Sequence, residues 1–113
     1  MYNPFSIADR IILVTGASSG IGRSTAIECS RMGAKLVVTG RNEARLQETL
    51  NALEGEGHLA IVADLTNEEQ MDRLVEQVPA LYGLVNNAGI TNDKLILRMS
   101  KDDFTKVIDT NLV

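Results

Sequence analysis

The sequence predicts an α/β fold in which helices cover both faces of a parallel sheet. Short apolar runs alternate with amphipathic segments along the chain, the connections between them are short, and a glycine-rich segment directly follows the first apolar run. The chain has 113 residues, of which 44% are hydrophobic and 23% are charged, as in an ordinary globular domain.

Four short apolar runs are predicted to be strands, at residues 11–14, 35–39, 58–63 and 81–85. The run at 11–14 is continuously apolar, which is typical of a strand covered on both faces. Parallel strands need crossover connections, and the segments between these runs have the pattern of helices.

Four helices are predicted from apolar residues at helical spacing. The first has an inner stripe at Ile21, Thr25, Cys29 and Met32 and ends at Gly33. The second begins at the N-cap Asn42, has the stripe Leu46, Leu50 and Leu53, and ends near Gly55. The third begins with the capping box of Thr66 and Glu69 and has an inner face of Met71, Leu74, Val75 and Val78. The fourth begins at Ser100 and has Phe104, Val107 and Ile108 on its inner face.

This element order predicts a doubly wound sheet of the Rossmann type, in which strands one to three run outward and strand four returns beside strand one. Ligands of such sheets bind where the strand order reverses. Two loops meet at that point, TGASSGIG at residues 15–22 and NNAG at residues 86–89.

The composition excludes several other classes of function. The net charge of −4 and the lack of a dense basic cluster argue against nucleic acid as a partner. No apolar run approaches the roughly 20 residues of a membrane-spanning helix, and the first ten residues do not resemble a secretory signal. A single cysteine, Cys29, indicates a reducing compartment, so a cytoplasmic location is expected. With His58 as the only histidine, no metal site is expected.

The glycine-rich loop has the features of a phosphate-binding loop. Gly16, Gly20 and Gly22 would leave backbone N–H groups accessible at the start of a helix, and Ser18 and Ser19 could donate hydrogen bonds. No Lys-Ser/Thr pair follows the glycines, which excludes a P-loop. Taken alone, the loop could also be a turn whose glycines only allow helix and strand to pack closely.

Three ordered motifs resemble those of the short-chain dehydrogenase/reductase family. They are Thr15-Gly16-x-x-x-Gly20-x-Gly22, Asp64 at the end of the third strand, and the segment 86–89, and together they cover nearly the whole chain. The resemblance implies a nicotinamide dinucleotide whose pyrophosphate and adenosine ribose lie on the glycine loop. It assigns to the cofactor Gly16, Ser18, Ser19, Gly20, Ile21, Gly22, Asp64, Leu65, Asn87, Ala88 and Gly89.

The resemblance also implies individual roles. Asp64 would accept a hydrogen bond from the adenine amino group beside the Leu65 N–H, and Asn87 would meet a ribose through its backbone. Asn86 would mainly brace the sheet. Tyr82 departs from the family pattern, because many members have an acidic residue there.

The end of the second strand favours NADP(H) over NAD(H). Folds specific for NAD have an acid there that binds the ribose 2′-hydroxyl, whereas this chain has Gly40 and Arg41. A guanidinium can pair with a 2′-phosphate in a bidentate manner. The alternative is that Arg41 is a solvated loop charge.

Asn111 lies on the inner side of the last predicted helix, where a buried, hydrogen-bonded asparagine would be the ordinary interpretation. The resemblance instead matches Asn111 to the asparagine of an Asn-Ser-Tyr-Lys catalytic set. Neither tyrosine of the chain, Tyr2 or Tyr82, has a lysine four residues later. We therefore expect residues 1–113 to be the N-terminal part of a longer single domain, cut after the fourth strand and the start of the next helix.

Residues 89–104 resemble the bacterial 3-oxoacyl-carrier-protein reductase branch of the family. This implies a small carbonyl or acyl thioester substrate, an acyl carrier protein as partner, and a homo-oligomer at full length. Two alternatives remain open from the sequence: a non-catalytic NADP-binding module, and a methyltransferase on the same sheet. The methyltransferase would require an acid where Gly40 and Arg41 stand.

Overall fold

The computed structural model describes residues 6–18, 20–78, 82–87 and 95. In this part the strands are β1 (Ile11–Thr15), β2 (Lys35–Gly40), β3 (Leu59–Val62) and β4 (Gly83–Asn86), and the helices are α1 (Gly20–Arg31), α2 (Glu43–Ala52) and α3 (Glu68–Gln77). All strand pairs are parallel, in the order β3-β2-β1-β4. This confirms the predicted α/β class, the Rossmann-type topology and the position of the switch point between β1 and β4.

The sheet separates two apolar cores. In β1, Leu13 pairs with Val37 of β2 and Leu84 of β4, and it belongs to the core that α3 covers. Its neighbours Ile12 and Val14 face the other core, against α1 and α2. Because both faces are covered, β1 is apolar at every position from 11 to 14, which is the pattern that predicted it.

The buried face of α1 differs from the prediction. Gly22, Ala26 and Ser30 are buried, whereas Ile21 is 52% exposed and Met32 is 60% exposed. The helix therefore packs through a row of small residues, which allows its backbone to lie close to the sheet. Hydrophobicity alone placed the stripe one position away from this row, so the predicted inner positions of Ile21 and Met32 were wrong.

Cys29, also predicted on the inner side of α1, is half-buried and packs against the core of α1 and α2. Burial, with a smaller contribution from the neighbouring Glu28, raises the pKa of its thiol. A raised thiol pKa keeps the group protonated, so Cys29 is a packing residue with little thiolate character.

The cap of α2 is confirmed and that of α3 is corrected. Asn42 accepts a hydrogen bond from the Arg45 N–H at 3.0 Å, as predicted for the N-cap of α2. The N-cap of α3 is Asn67, whose side chain accepts from the Gln70 N–H at 3.1 Å. Thr66, the predicted cap, instead bonds the carboxylate of Asp64.

His58 lies just before β3 and ties three segments together. Its Nδ1 accepts a hydrogen bond from the Leu36 N–H at 3.0 Å, and its Nε2 lies 2.6 Å from the carbonyl oxygen of Glu54. The ring is half-buried, and both of its nitrogens are engaged by backbone groups, which indicates a structural role. The predicted fourth helix, from Ser100, lies outside the described residues.

Candidate functional site

The carboxyl ends of β1 and β4 are joined by buried polar side chains. Thr15 pairs with Asn86 in the sheet register, and its hydroxyl donates to Asn86 Oδ1 at 2.8 Å. The same hydroxyl oxygen accepts from the Asn87 N–H at 2.9 Å. These bonds hold the start of the glycine loop against the segment that follows β4, which places the two motifs side by side.

Two of the three loop glycines are required by packing within the protein. The side chain of Asn87 donates to the Gly16 carbonyl oxygen at 3.3 Å. A Cβ at Gly22 would overlap that same oxygen and would lie 2.8 Å from Asn87 Nδ2. Gly16 has a φ of +62°, a conformation that favours glycine. Packing within the protein therefore gives a reason for glycine at positions 16 and 22 that does not depend on a ligand.

Gly20 has no such neighbour. It is exposed, and no described atom lies within 4 Å of the position that its Cβ would take. Its φ of +60° favours glycine at this position. Among the described residues, therefore, nothing fills the space beside Gly20 at the first residue of α1.

The hydroxyl of Ser18, in the glycine loop, is buried against Gly40 at the end of β2. Its Oγ has no hydrogen-bond partner among the described residues, although the atom is shielded from solvent. A Cβ at Gly40 would overlap this oxygen, so the glycine at the end of β2 makes room for the serine. Buried hydroxyls are normally satisfied, so this atom is a candidate donor to a ligand.

The loop is also tied to β2 and α2. The Ala17 N–H donates to the Thr39 carbonyl oxygen at 3.0 Å, and the Thr49 hydroxyl donates to the Ala17 carbonyl oxygen at 2.7 Å. Sequence reasoning missed Thr49, because a lone threonine in the middle of a helix has no motif around it.

Arg41 and Asp64 follow the neighbouring ends of β2 and β3. These ends are held together by a hydrogen bond of 3.0 Å, which the Ala63 N–H donates to the Gly40 carbonyl oxygen. The Asp64 carboxylate accepts bonds from the hydroxyl of Thr66 at 2.6 Å and from its N–H at 2.9 Å. These two bonds, with a smaller contribution from the positive charge of Arg41, lower the pKa of Asp64 against the opposing effect of burial. Asp64 is therefore an ionised hydrogen-bond acceptor at neutral pH.

The predicted site residues thus fall into three groups. The first group, Gly16, Gly22 and Asn87, lies together at the switch point. The second lies at the neighbouring ends of β2 and β3 and consists of Ser18, Arg41, Asp64 and the buried Leu65. The third group, Gly20 and Ile21, is exposed at the start of α1. The predicted residues Ser19, Ala88, Gly89 and Asn111 lie outside the described residues.

Comparison with known proteins agrees with this geometry. The sequence model of the short chain dehydrogenase family matches residues 10–113. The 3-oxoacyl-acyl-carrier-protein reductase FabG of Rickettsia prowazekii is 44% identical over 100 residues, which are 88% of this chain and 41% of that protein. The (3R)-3-hydroxyacyl-CoA dehydrogenase of Canis lupus familiaris is 36% identical over 126 residues, covering 99% of this chain and 49% of the relative.

Solved structures show the same similarity. The apo glucose dehydrogenase of Caenorhabditis elegans superposes with a TM-score of 0.73 at 28% identity, over 91% of this chain and 54% of that one. A short chain dehydrogenase from Escherichia coli, complexed with NADPH, superposes with a TM-score of 0.72 at 28% identity, over 85% of this chain and 52% of that one.

The chain belongs to the short chain dehydrogenase family, which confirms the resemblance seen in its motifs. It spans less than half the length of these two curated relatives. None of the helices in the described part has the length and apolar character that crossing a bilayer requires.

Proposed function

We propose that this chain is the cofactor-binding part of an NADP(H)-dependent oxidoreductase that reduces the carbonyl of a 3-oxoacyl thioester to an alcohol. Residues 1–113 are then the N-terminal part of a longer single domain. The observation on which the proposal rests is the contact at the switch point, where Thr15, Asn86 and Asn87 hold the glycine loop against the segment after β4. Family membership makes a nicotinamide dinucleotide the expected ligand at this point of the sheet.

The residues present suit a dinucleotide. No described atom fills the space beside Gly20 at the start of α1, where the N–H groups of the first helical turn and the helix dipole favour a negative charge. The Ser18 hydroxyl, buried without a partner among the described residues, can donate to a ligand oxygen. When bound, NADPH supplies the hydride that reduces the substrate carbonyl.

The protein's own contribution is to hold and orient that cofactor. In this proposal the backbone N–H groups of the glycine loop bind the pyrophosphate, and the exposed Ile21 covers it. Asp64, kept ionised by Thr66, accepts a hydrogen bond from the adenine amino group beside Leu65. Asn87 meets a ribose through its backbone, Ala88 and Gly89 pass close to the cofactor, and Asn111 supports the catalytic lysine of the complete enzyme.

Arg41 supports the preference for NADP(H). It is exposed directly after Gly40, and no carboxylate stands at that strand end to bind a ribose 2′-hydroxyl. The guanidinium is close enough to Asp64 to lower its pKa, so Arg41 contributes positive charge where the adenosine half of the cofactor would lie. A 2′-phosphate would pair with that charge.

The names of two relatives support the substrate. One is named for a 3-oxoacyl group on a carrier protein and the other for a 3-hydroxyacyl-CoA. Both names therefore describe acyl thioesters whose oxygen substituent is at carbon 3. An acyl carrier protein is accordingly the proposed partner, a cytoplasmic location is proposed, and the complete enzyme is proposed to be a homo-oligomer.

The function is tested with the intact natural protein that contains residues 1–113. NADPH is titrated by calorimetry, and oxidation of NADPH is followed by absorbance with a 3-oxoacyl thioester and with a simple ketone as comparison. We expect NADPH binding and faster turnover of the thioester. A protein that binds no dinucleotide, or that binds it and turns over neither carbonyl, would contradict the proposal.

The cofactor preference is tested with Arg41→Asp. Charge-assisted hydrogen bonds to a phosphate are worth about 1.5–3 kcal/mol, so we expect NADPH affinity to fall about tenfold to a hundredfold while NADH affinity changes little. The matched control is Arg73→Asp, which makes the same charge change at an exposed position of α3. Equal losses for both cofactors would exclude a 2′-phosphate contact.

A further inference from the structure

Thr49 is a fully buried threonine in the middle of α2, outside every sequence motif of the chain. Its side chain is 0% exposed, and its hydroxyl donates to the Ala17 carbonyl oxygen at 2.7 Å. A second, longer contact of 3.3 Å joins the same hydroxyl to the Arg45 carbonyl oxygen within the helix. The shorter bond therefore leaves the helix and reaches the glycine loop.

Ala17 is held from both sides by this arrangement. Its carbonyl oxygen accepts from Thr49, and its N–H donates to the Thr39 carbonyl oxygen at 3.0 Å. Its side chain is fully buried. The loop residue between Gly16 and Ser18 is thus fixed to α2 and β2, although both of its neighbours are only partly buried.

We propose that Thr49 is a positioning residue for the dinucleotide: its hydroxyl fixes the Ala17 carbonyl and so preorganises the phosphate-binding loop before the cofactor binds. This inference rests on the proposed function, because it assumes that the loop binds a dinucleotide phosphate. Fixing a loop in its binding conformation in advance lowers the entropy lost on binding. Thr49 touches no ligand itself and acts through the loop.

Packing alone does not require a hydroxyl at this position. A valine has nearly the shape of threonine and would fill the same fully buried space. It would, however, leave the Ala17 carbonyl oxygen without the Thr49 bond. The hydroxyl is therefore the part of the side chain that links α2 to the loop.

The chain contains a matched control for the loss of a buried threonine hydroxyl. Thr39 is also 0% exposed, and its hydroxyl donates to a backbone carbonyl, that of Ile61, at 2.6 Å. Thr39→Val removes this bond between β2 and β3 but keeps the backbone oxygen that accepts from Ala17. The two variants thus lose the same chemical group, and only Thr49→Val releases the loop.

The experiment compares wild type, Thr49→Val, Thr49→Ala, Thr49→Ser and Thr39→Val in the intact natural protein. Thr49→Ala is included so that the result does not depend on the folding of one variant. NADPH affinity is measured by calorimetry, amide exchange of residues 16–22 is measured on the ligand-free protein, and melting temperature is recorded for all.

We expect Thr49→Val and Thr49→Ala to weaken NADPH about three- to tenfold and to speed amide exchange in residues 16–22. Thr49→Ser should restore both values, because it keeps the hydroxyl. Thr39→Val should lower the melting temperature to a similar extent without changing either value.

Equal NADPH affinity and equal loop exchange in Thr49→Val, Thr49→Ala and Thr39→Val would overturn the inference and leave Thr49 with a purely structural role. A failure of Thr49→Ser to restore the wild-type values would do the same. A wild-type protein that binds no NADPH would instead refute the proposed function. The exchange measurement on ligand-free protein separates the two cases, because it reports how firmly Thr49 holds the loop.

Discussion

Gly22→Ala is expected to damage both the fold and the cofactor site, because the added Cβ has nowhere to go. It would overlap the Gly16 carbonyl oxygen and lie 2.8 Å from Asn87 Nδ2 and from the Gly16 carbonyl carbon. Ordinary van der Waals contact begins at 3.4 Å, so the start of α1 must move by about 0.6 Å away from Asn87 Nδ2 and the Gly16 carbonyl carbon, and further away from the overlapping Gly16 oxygen.

The size of the effect follows from two opposing contributions. Overpacking of a well-filled site costs about 1–3 kcal/mol, towards the upper end here because two of the three nearest atoms are backbone. Alanine favours a helix over glycine by about 1 kcal/mol, and Gly22 is not among the glycines with positive φ, so no backbone strain is added. We expect a net loss of about 1–2 kcal/mol in the free energy of unfolding.

Urea denaturation of the intact protein measures this loss, and calorimetric titration of NADPH measures the damage to the loop. Ser24→Ala is the matched control, since it adds helix propensity at an exposed position of the same helix without a clash. We expect Ser24→Ala to be as stable as wild type or slightly more so. A Gly22→Ala variant that equals Ser24→Ala in stability and wild type in NADPH affinity would refute the packing argument.

Three further changes are expected to have distinct effects. Asn67→Ala should lower the free energy of unfolding, measured by urea denaturation, by about 1 kcal/mol because it removes the N-cap of α3. Thr66→Val should cost less, and an equal or larger loss in Thr66→Val would contradict Asn67 as the cap. Asp64 has a lowered pKa in the folded protein, so it stabilises the fold above its unfolded pKa of about 3.9 and loses this effect as pH falls through the folded value. The stability difference between wild type and Asp64→Asn should therefore shrink in denaturation curves below about pH 4, and a constant difference would contradict it. Gly20→Val should leave the protein folded, apart from strain of about 1–2 kcal/mol at positive φ, and should abolish NADPH binding in a titration.

The sequence predicted the parallel sheet, its strand order and the meeting of the two loops, because apolar runs and crossovers follow simple geometric rules. It misplaced the inner face of α1, since Gly22 and Ser30 are buried for their small size and not for their hydrophobicity. It also placed the start of α3 one residue early at Thr66, because threonine and asparagine are both good caps and only the structure shows which one faces the helix.

The contacts that complete the candidate site were the least predictable. Ser18 was expected to face a ligand, but its packing against Gly40 depends on the distance between the glycine loop and the end of β2, which the whole sheet sets. Thr49 lies 32 residues from its partner Ala17 in a helix with an otherwise ordinary pattern. Long-range hydrogen bonds of this kind leave no periodic signal, so a single sequence does not indicate them.

The bond between Thr15 and Asn86 joins residues that are 71 positions apart in the chain. Closing a loop of that length costs about 4 kcal/mol in chain entropy beyond a constant contribution. The entropy cost of pairing β1 with β2 is smaller, because the connection between them is much shorter. During synthesis, β1, β2 and β3 can therefore pair before β4 leaves the ribosome, and the glycine loop then lacks the support of Asn86 and Asn87. The glycine loop gains its bonds to Asn86 and Asn87 only when the last described strand adds to the sheet. The moment at which a growing or refolding chain first binds a dinucleotide would therefore report when this sheet is complete.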